Sequence, residues 1–314
     1  MNKTWIMLEE SYPVFCKTVY HIQNKAIFLK RTIENQINSE FNFELAERIC
    51  ATGLTISDNW EQYCHHVDNL IEMSMDFLKL QIELKKTEKY RYSSFEEVQK
   101  FVYLKNDDNK GPNYLWGLYF SEIFWKVHHN FVNFFLRDFI RDLSGNGDFL
   151  EVPSGTGFFL CEFLRENKKW NGYGVDISET SIEFSKKILE SNKIPSSHYQ
   201  IIKQDFLKLD ETKCFDRICC GEFLEHLEDP LGALRKFYRL LNKNGKIFIT
   251  VAVWAAHIDH IYLYKNAEEV REHIRDAGFK IEKELVQAVF ERDEKNPEKS
   301  KIPVSFAAIL SKNN

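Results

Sequence analysis

The sequence predicts an α/β fold in which an all-helical N-terminal half precedes a doubly wound, seven-stranded and mostly parallel sheet with an antiparallel edge strand. The first 140 residues contain only three glycines and carry apolar residues at helical spacing. From Phe149 onward, short apolar runs alternate with helical patterns, which is typical of βαβ units. Two apolar runs close the chain in succession, and such a pair favours an antiparallel hairpin at the sheet edge.

Two apolar stripes predict the long helices of the N-terminal half. The first stripe consists of Val67, Ile71, Leu78 and Ile82. The second stripe consists of Phe120, Phe124, Val127, Phe131 and Phe135. Between them, Ser94-Phe-Glu-Glu97 has the pattern of a capping box that opens a short helix. The turn formers of Asp107-Asp-Asn-Lys-Gly-Pro112 predict a mobile loop.

The turn-forming segment Asp142-Leu-Ser-Gly-Asn-Gly147 marks the change from helical to alternating patterns. We therefore expect two domains, a helical cap and substrate domain over residues 1–142 and an α/β domain over residues 143–314. Strands are predicted at 149–153, 172–176, 199–203, 215–220, 246–252, 280–285 and 304–310. Helices of the second half are predicted to begin near Gly157, Ser178, Leu231 and Asn266.

The charge balance argues against nucleic-acid binding. The chain has 42 Lys and Arg against 47 Asp and Glu, a net charge of -5, whereas nucleic-acid-binding proteins carry a basic excess. Seven cysteines without a Cys-x-x-Cys pair are typical of reduced thiols. No apolar stretch approaches the roughly 18 residues that a membrane span needs. We expect a cytoplasmic protein that binds neither nucleic acid nor membrane.

The segment Glu151-Val-Pro-Ser-Gly155-Thr-Gly157 lies between a predicted strand and a predicted helix. Glycines in such a loop let the backbone turn tightly and approach a ligand, and the helix that follows presents its N-terminus. Asp176 ends the next predicted strand, and a carboxylate there is suited to accept hydrogen bonds from a ribose diol. The pattern therefore predicts a site for a nucleoside-containing ligand.

A nicotinamide-binding domain is the main alternative for this loop. Its fingerprint has a third glycine or an alanine where this chain has Leu160. Glu151 would also repel a pyrophosphate, whereas an acidic group that orients the loop or meets the amino group of an amino-acid-like ligand is electrostatically reasonable. These residues favour a cationic or zwitterionic ligand over a phosphorylated one.

Residues 149–253 resemble the class I S-adenosylmethionine-dependent methyltransferases. The matching pieces, in the order of the family, are the Glu151 to Gly157 loop, Val175-Asp-Ile-Ser178, Gln204-Asp-Phe206, Phe215-Asp with Gly221-Glu-Phe-Leu-Glu-His226, and Asn244-Gly-Lys-Ile-Phe-Ile249. The resemblance implies a Rossmann-like fold and S-adenosylmethionine as cofactor. The chain departs from the commonest family form at Pro153, where a glycine is usual, and proline fixes φ near about -65°.

The resemblance also implies roles for individual residues. Gly155 and Gly157 would line the methionine moiety, and Ser154 of the same loop is assigned to the cofactor with them. The remaining cofactor contacts are Asp176 on the ribose hydroxyls, Ile177 on the adenine, Asp205 and Phe206 at the adenine edge, and Glu222 close to the sulfonium.

The segment after the fifth strand offers candidates for a catalytic base. Methyl transfer requires an acceptor in line with the sulfur–methyl bond, and a base is optional. His257 or His260 is suited to this task because a histidine titrates near neutral pH, and Asp259 would orient it. The histidines could instead only satisfy loop carbonyls. A divalent metal held by His257, Asp259 and perhaps His226 is a further alternative, and we assign no metal.

The helical half contributes two candidates, Tyr114 and Tyr119, on the predicted helix before the α/β half. An aromatic ring attracts a cation and a phenol offers a hydrogen bond, so either residue could close over the sulfonium or the donor carboxylate. We expect Tyr114 to contact the cofactor and Tyr119 to take part in catalysis.

The leading function hypothesis is a methyltransferase that acts on an oxygen or nitrogen of a small molecule in an enclosed pocket. A second hypothesis is an enzyme that cyclises or cleaves S-adenosylmethionine itself and releases methylthioadenosine. A third is a Rossmann-like binding protein without catalysis. A homodimer is possible, and the sequence does not identify the acceptor.

Overall fold

The computed structural model describes residues 3–37, 40–103, 110–141, 143–296 and 301–313. Residues 107–109 of the loop predicted to be mobile lie outside them. The helices of the N-terminal half are α1 (Lys3–Ser11), α2 (Pro13–Lys25), α3 (Ile27–Gln36), α4 (Phe43–Ile56), α5 (Trp60–Thr87), α6 (Phe95–Val98), α7 (Lys110–Phe124) and α8 (Lys126–Phe134). Two π-helical segments, Gln99–Tyr103 and Phe135–Ile140, follow α6 and α8. The prediction of an all-helical half is confirmed.

Side-chain caps explain where several of these helices begin. The side chain of Asn59 accepts a hydrogen bond from the Gln62 backbone N–H (2.9 Å) at the start of α5. The predicted cap at Ser94 is also present, because its hydroxyl accepts from the Glu97 N–H (3.3 Å). The Glu97 carboxylate accepts a hydrogen bond from the N–H of Ser93 (2.9 Å), whereas a capping box has this bond at the N–H of Ser94.

The two predicted apolar stripes have different outcomes. The aromatic stripe is buried throughout, from Phe120 to Phe135, although Trp125 interrupts the helix and divides it into α7 and α8. In the other stripe Val67 and Ile71 are buried, but Leu78 and Ile82 are 39% and 58% exposed. That part of the prediction is wrong because α5 turns polar side chains toward the protein in its second half.

The C-terminal half alternates strands and helices as predicted. Its strands are β1 (Asp148–Glu151), β2 (Asn171–Asp176), β3 (Tyr199–Lys203), β4 (Phe215–Cys220), β5 (Leu241–Val253), β6 (Phe279–Ala288) and β7 (Val304–Lys312). Its α-helices are α9 (Phe158–Glu166), α10 (Glu179–Ser191), α11 (Pro230–Leu240) and α12 (Ala267–Asp276). Each helix begins within one residue of its predicted start.

The seven strands form one sheet in the order β3-β2-β1-β4-β5-β7-β6. β1 to β5 run parallel, and β7 is antiparallel to both β5 and β6, which confirms the doubly wound sheet with an antiparallel edge. The parallel strands place the ends of β1, β2, β4 and β5 at a common edge, where ligands bind in open α/β sheets. This edge positions the candidate site.

Several strand boundaries differ from the predictions, since β6 ends at Ala288 and not at residue 285, and β7 ends at Lys312 and not at residue 310. β1 ends at Glu151 and not at residue 153, since Pro153 has no N–H to donate to a sheet. β5 begins at Leu241 and not at residue 246, because Leu241 pairs with Phe215 before a register shift at the Asn244-Gly245 turn signal.

A shared apolar core joins the helical half to one face of the sheet. The rings of Phe134 and Phe135 lie 5.9 and 5.2 Å from the ring of Phe248 on β5. The opposite face is covered by α11 and α12, with Phe237 and Ile274 fully buried. Among the described helices, none combines the length and apolar character needed to cross a bilayer.

Candidate functional site

The loop between β1 and α9 has the geometry expected of a ligand-binding turn. Gly155 and Gly157 have φ values of +47° and +70°, in the left-handed region that favours glycine. A Cβ on Gly157 would lie 2.7 Å from the Cβ of Ser185, so this glycine is required for packing. A Cβ on Gly155 would meet no atom within 4 Å. The space beside Gly155 is therefore open to a ligand.

Glu151 supports the start of α9. Its side chain is 3% exposed, and Oε2 accepts a hydrogen bond from the N–H of Leu160 (3.0 Å). Burial raises the pKa of this carboxyl group well above its usual range. Of the two roles expected for Glu151, the structure shows the one that orients the loop. Ser154 lies in the same loop, and its buried hydroxyl has no hydrogen-bond partner in the described part of the chain.

Asp176 at the end of β2 ties the loop to the sheet. Its two carboxylate oxygens accept from the N–H groups of Gly155 (2.9 Å) and Ser178 (2.8 Å). The carboxylate also accepts from the Ile177 N–H and keeps a lone pair for a hydroxyl donor. Burial raises the pKa of Asp176. The neighbouring Ile177 is 49% exposed, which leaves an apolar surface beside the carboxylate for an aromatic base.

The segment after β3 corrects one expectation. Asp205 accepts a hydrogen bond from the Leu207 N–H (2.9 Å) and caps a short 3-10 turn. The side chain of Phe206 is 4% exposed and stacks on Phe237, with ring centroids 4.4 Å apart. Because this ring belongs to the core beneath α11, only the backbone of Phe206 could reach an adenine edge.

Glu222 and Glu225 follow β4 and form a carboxyl pair. The Glu222 N–H bonds to Thr250, whose carbonyl and hydroxyl oxygens lie 3.1 and 3.0 Å away. Glu225 is fully buried and accepts from the Ala252 N–H (3.1 Å). Burial raises the pKa of both groups, and the Glu222 charge raises that of Glu225 further. Glu225 is therefore the member of the pair with the more strongly raised pKa.

Three histidines surround Asp259 after β5, and each directs its Nδ1 atom at an oxygen. Nδ1 of His257 bonds to Oδ1 of Asp259. Nδ1 of His226 lies 3.2 Å from the Asp259 carbonyl, and Nδ1 of His260 lies 3.0 Å from the Ala255 carbonyl. Since a carbonyl only accepts, the Nδ1 atoms of His226 and His260 carry hydrogen. This leaves the Nε2 lone pair of each ring available.

The electrostatics of the cluster distinguish the three rings. Burial lowers the pKa of His226 and, more strongly, that of His260, so both are neutral at pH 7. Burial acts in the same direction on His257, but the charge and hydrogen bond of Asp259 outweigh it and raise the pKa of His257 above 6.5. The histidines hold the pKa of Asp259 well below 3.8 against the effect of burial. His257 is therefore the most basic ring.

The helical half completes this cluster with residues that the sequence did not reveal. The Tyr90 hydroxyl donates to the Ala255 carbonyl (2.7 Å) and lies 3.3 Å from Nδ1 of His260. The Gln81 amide donates to the Trp254 carbonyl (3.0 Å) and accepts from the Ala256 N–H (2.9 Å). In the sequence, Gln81 differs from its neighbours only as a polar residue next to apolar ones, and no pattern marks Tyr90.

Tyr114 lies in the site and Tyr119 does not. The ring of Tyr114 is 5.2 Å from that of His257, and burial raises the pKa of its phenol well above 10, with further increases from Asp259 and Glu222. Tyr119 is 2% exposed, packs between Trp116 and Phe184, and directs its hydroxyl toward Thr52. The prediction for Tyr119 is wrong, since its ring faces the helical core.

Glu122 is a further residue that sequence reasoning missed. It lies on α7, two turns after Tyr114, and is half-buried. Burial and then the charge of Glu222 raise its pKa to about 8. Glu122 also acts on the pKa values of Glu151 and Cys219, which places it above the ends of β1 and β4. No sequence motif marks it.

Two sets of side chains in the described structure could hold a metal ion. Glu225, His226 and His260 form one set, and His257, Asp259 and His260 form the other. Within each set the potential ligand atoms lie within 4.8 Å of one another. Histidines that bind a metal through Nε2 usually donate a hydrogen bond from Nδ1 to a carbonyl or carboxylate, as the Nδ1 atoms do here.

A glycine turn, a buried carboxylate at the end of β2 and further acidic groups at the ends of parallel strands are typical of nucleoside-binding proteins with a Rossmann-like fold. Residues 143–300 match the family described as "Methyltransferase domain". The chain belongs to this family of S-adenosylmethionine-dependent methyltransferases. The open space at Gly155, the exposed Ile177 and the carboxyl groups around the loop fit a cofactor that carries an adenosine and two positive charges.

Relatives and a solved structure resemble parts of this chain. The ubiquinone biosynthesis O-methyltransferase of Neisseria meningitidis is 29% identical over 101 residues, 32% of this chain and 42% of that protein. The protein of the same name from Glaesserella parasuis is 32% identical over 80 residues, 24% of this chain and 34% of its own. The matches thus span less than half of these relatives.

The structure of the mitomycin 7-O-methyltransferase MmcR has a TM-score of 0.52 with 11% identity. The comparison covers 76% of this chain and 68% of that one. It shows a shared fold.

Proposed function

We propose that the protein transfers a methyl group from S-adenosylmethionine to an oxygen, or alternatively a nitrogen, of a small molecule. The observation that carries this proposal is the His257–Asp259 pair beside Tyr114, at the same sheet edge as the glycine loop. The two relatives are O-methyltransferases by name, which favours oxygen. In this proposal residues 1–142 form the cap that shapes the acceptor pocket, and residues 143–314 bind the donor.

The residues of this chain divide the work between donor and acceptor. When bound, S-adenosylmethionine supplies a methyl group on a sulfonium and leaves as S-adenosylhomocysteine. Asp176 would accept from the ribose hydroxyls, Ile177 would cover the adenine, and Ser154 and Gly155 would line the methionine moiety. Glu222 would face the sulfonium, whose positive charge favours a nearby carboxylate.

His257 would act as the general base. With Nδ1 held by Asp259, its Nε2 atom is the one that can take a proton from an acceptor hydroxyl. During the transfer the acceptor proton would pass to Nε2 of His257, and Asp259 would stabilise the imidazolium that forms. Tyr114, with its neutral phenol, would position the acceptor. His260, neutral and bonded to Ala255, holds the loop.

The test is mass spectrometry of the full chain incubated with S-adenosylmethionine, alone and with small catechols, phenols and amines. The proposal predicts S-adenosylhomocysteine together with a methylated acceptor, and an intact donor when no acceptor is present. Methylthioadenosine formed from the donor alone would support the cofactor-consuming alternative instead.

The free state of all seven cysteines is consistent with the cytoplasm, which we propose as the location of the protein. Size-exclusion chromatography tests the proposed homodimer.

A metal-assisted version of the same transfer is a second candidate, favoured by the shared orientation of His226 and His260 next to Glu225. In that version a divalent cation would bind the acceptor oxygen and lower its pKa. Activity lost on dialysis against a chelator and restored by Mg²⁺, Mn²⁺ or Zn²⁺ would establish it. Activity that a chelator leaves unchanged would assign the proton transfer to His257 alone.

A further inference from the structure

Helix α7 connects the two ends of the proposed site. Tyr114 and Glu122 are eight residues apart, so their side chains point about 80° apart around the helix and lie about 12 Å apart along its axis. Tyr114 reaches His257 at the acceptor end. Glu122 lies at the opposite end of the site. Its charge raises the pKa of Glu151 at the end of β1, and the charge of Glu222 after β4 raises the pKa of Glu122.

The carboxyl group of Glu122 has no partner within the described chain. No hydrogen bond or ion pair joins it to another described residue, although it is half-buried. The charges that act most strongly on Glu122 and Glu151 are those of other carboxyl groups. Burying carboxyl groups together without a cation is costly, so a positively charged ligand would stabilise this arrangement.

Two further observations point to a ligand site at the neighbouring glycine loop. The space beside Gly155 is open, and the hydroxyl of Ser154 is buried without a partner in the described residues. The donor of the proposed function has two cationic groups, the sulfonium and the ammonium of its amino-acid end. Glu151 and Gly155 mark the end of the site where the methionine moiety would lie.

We propose that Glu122 binds the ammonium group of the donor's methionine moiety, so that the helical half contributes directly to donor binding. This inference rests on the proposed function. It gives α7 two tasks, because the same helix would hold the donor through Glu122 and border the acceptor through Tyr114. The donor would thereby fix the position of the helix that borders the acceptor pocket.

Isothermal titration calorimetry of the full chain tests this role with three ligands: S-adenosylmethionine, S-adenosylhomocysteine, and the analogue of S-adenosylhomocysteine in which hydrogen replaces the amino group. Glu122→Gln should weaken binding of the first two ligands by about 10- to 100-fold, the range of a charge-assisted hydrogen bond. Binding of the desamino analogue should stay within about twofold of that of the wild type. Glu72→Gln, an exposed substitution on α5, is the matched control and should change none of the three affinities.

Each other outcome has a defined meaning. If Glu122→Gln weakened S-adenosylmethionine but not S-adenosylhomocysteine, the contact would be to the sulfonium and the proposal would be wrong. Equal weakening of all three ligands, or unchanged binding of all three, would also overturn it. A folded wild-type chain that bound none of the ligands would overturn the proposed function as well. Circular dichroism confirms folding, which this substitution should preserve because Glu122 makes no bond to the described chain.

Discussion

The side-chain amide of Gln81 lies 3.0 Å from the carbonyl oxygen of Trp254, and its oxygen accepts from the N–H of Ala256 (2.9 Å). These two bonds join the middle of the helical half to the loop that carries His257. The amide is 7% exposed, and Trp254 and Ala256 are also buried. The position of the candidate base therefore depends on a residue 176 positions earlier in the chain.

Gln81→Leu should lower the free energy of unfolding by about 2–4 kcal/mol, because a buried carbonyl and a buried N–H would both lose their partner. It should also reduce kcat/KM, since the loop would no longer hold His257 in place. Urea unfolding and methyl-transfer kinetics measure the two effects. Ile82→Ala, an exposed neighbour on the same helix, should change stability by less than about 0.5 kcal/mol. Equal effects of the two variants would contradict this interpretation.

His257 should determine how activity depends on pH. A protonated imidazole cannot accept the acceptor proton, so kcat/KM should fall as the pH drops through the pKa of His257, which lies above 6.5. His257→Ala should lower kcat/KM by roughly 10²- to 10⁴-fold, the usual contribution of a general base. His21→Ala is the control, because His21 also pairs with a carboxylate, that of Asp68, but within the helical half and away from the candidate site. Unchanged turnover in the His257 variant would remove this residue from the chemistry.

Asp259→Asn should shift the pH dependence of kcat/KM that His257 determines. Without the carboxylate, burial would dominate and lower the pKa of His257, so the acidic limb should shift to lower pH. The plateau should also fall, because an uncharged amide stabilises the imidazolium poorly. The measurement is kcat/KM from pH 5 to 9 for both proteins. A limb that stayed at the wild-type pH would show that another group titrates there.

The two loop glycines should respond differently to alanine. Gly157→Ala places a Cβ 2.7 Å from Ser185 at a φ of +70°, so it should destabilise the fold by about 3 kcal/mol. Gly155→Ala meets no atom and should cost about 1–2 kcal/mol through its positive φ. It should nevertheless reduce affinity for S-adenosylhomocysteine, since the methyl group projects into the proposed donor space. Full affinity in the Gly155 variant would place the donor elsewhere.

Glu122→Gln should make stability less dependent on pH. Burial raises the folded-state pKa of Glu122 to about 8, so the wild type loses stability as the pH rises from about 4.5 through 8. The uncharged amide does not titrate, and the variant should therefore gain roughly 1–3 kcal/mol over the wild type at pH 9 and little at pH 5. Urea unfolding across this range measures the difference. A difference that did not vary with pH would show that Glu122 is not titrating in the folded protein.

The sheet could be predicted from sequence because its signals are local. Each strand is a short apolar run bounded by turn formers, and the family motifs mark the ends of β1, β2 and β4. The same motifs indicated Asp176 and Gly155. The post-β5 histidines were predicted as candidates because three polar residues occur within a few positions of a strand end.

The contributions of the helical half could not be predicted in the same way. Tyr114 and Tyr119 are both aromatic residues on one helix, but five positions rotate a helix by about 140°, so only one of them faces the site. Gln81, Tyr90 and Glu122 join the site through contacts across the fold, which no local pattern records. The register of α5 was misjudged for the same reason, since Gln81 is buried by bonds to a distant loop.

Calorimetric titration of the full chain with S-adenosylmethionine, with NADH as the competing nucleotide, tests directly whether the loop binds the methyl donor. We expect one binding site for S-adenosylmethionine, no measurable binding of NADH, and an affinity at least about tenfold weaker in Asp176→Asn, which weakens the ribose contact. A folded chain that bound NADH, or that bound S-adenosylmethionine equally well without the Asp176 carboxylate, would contradict this expectation.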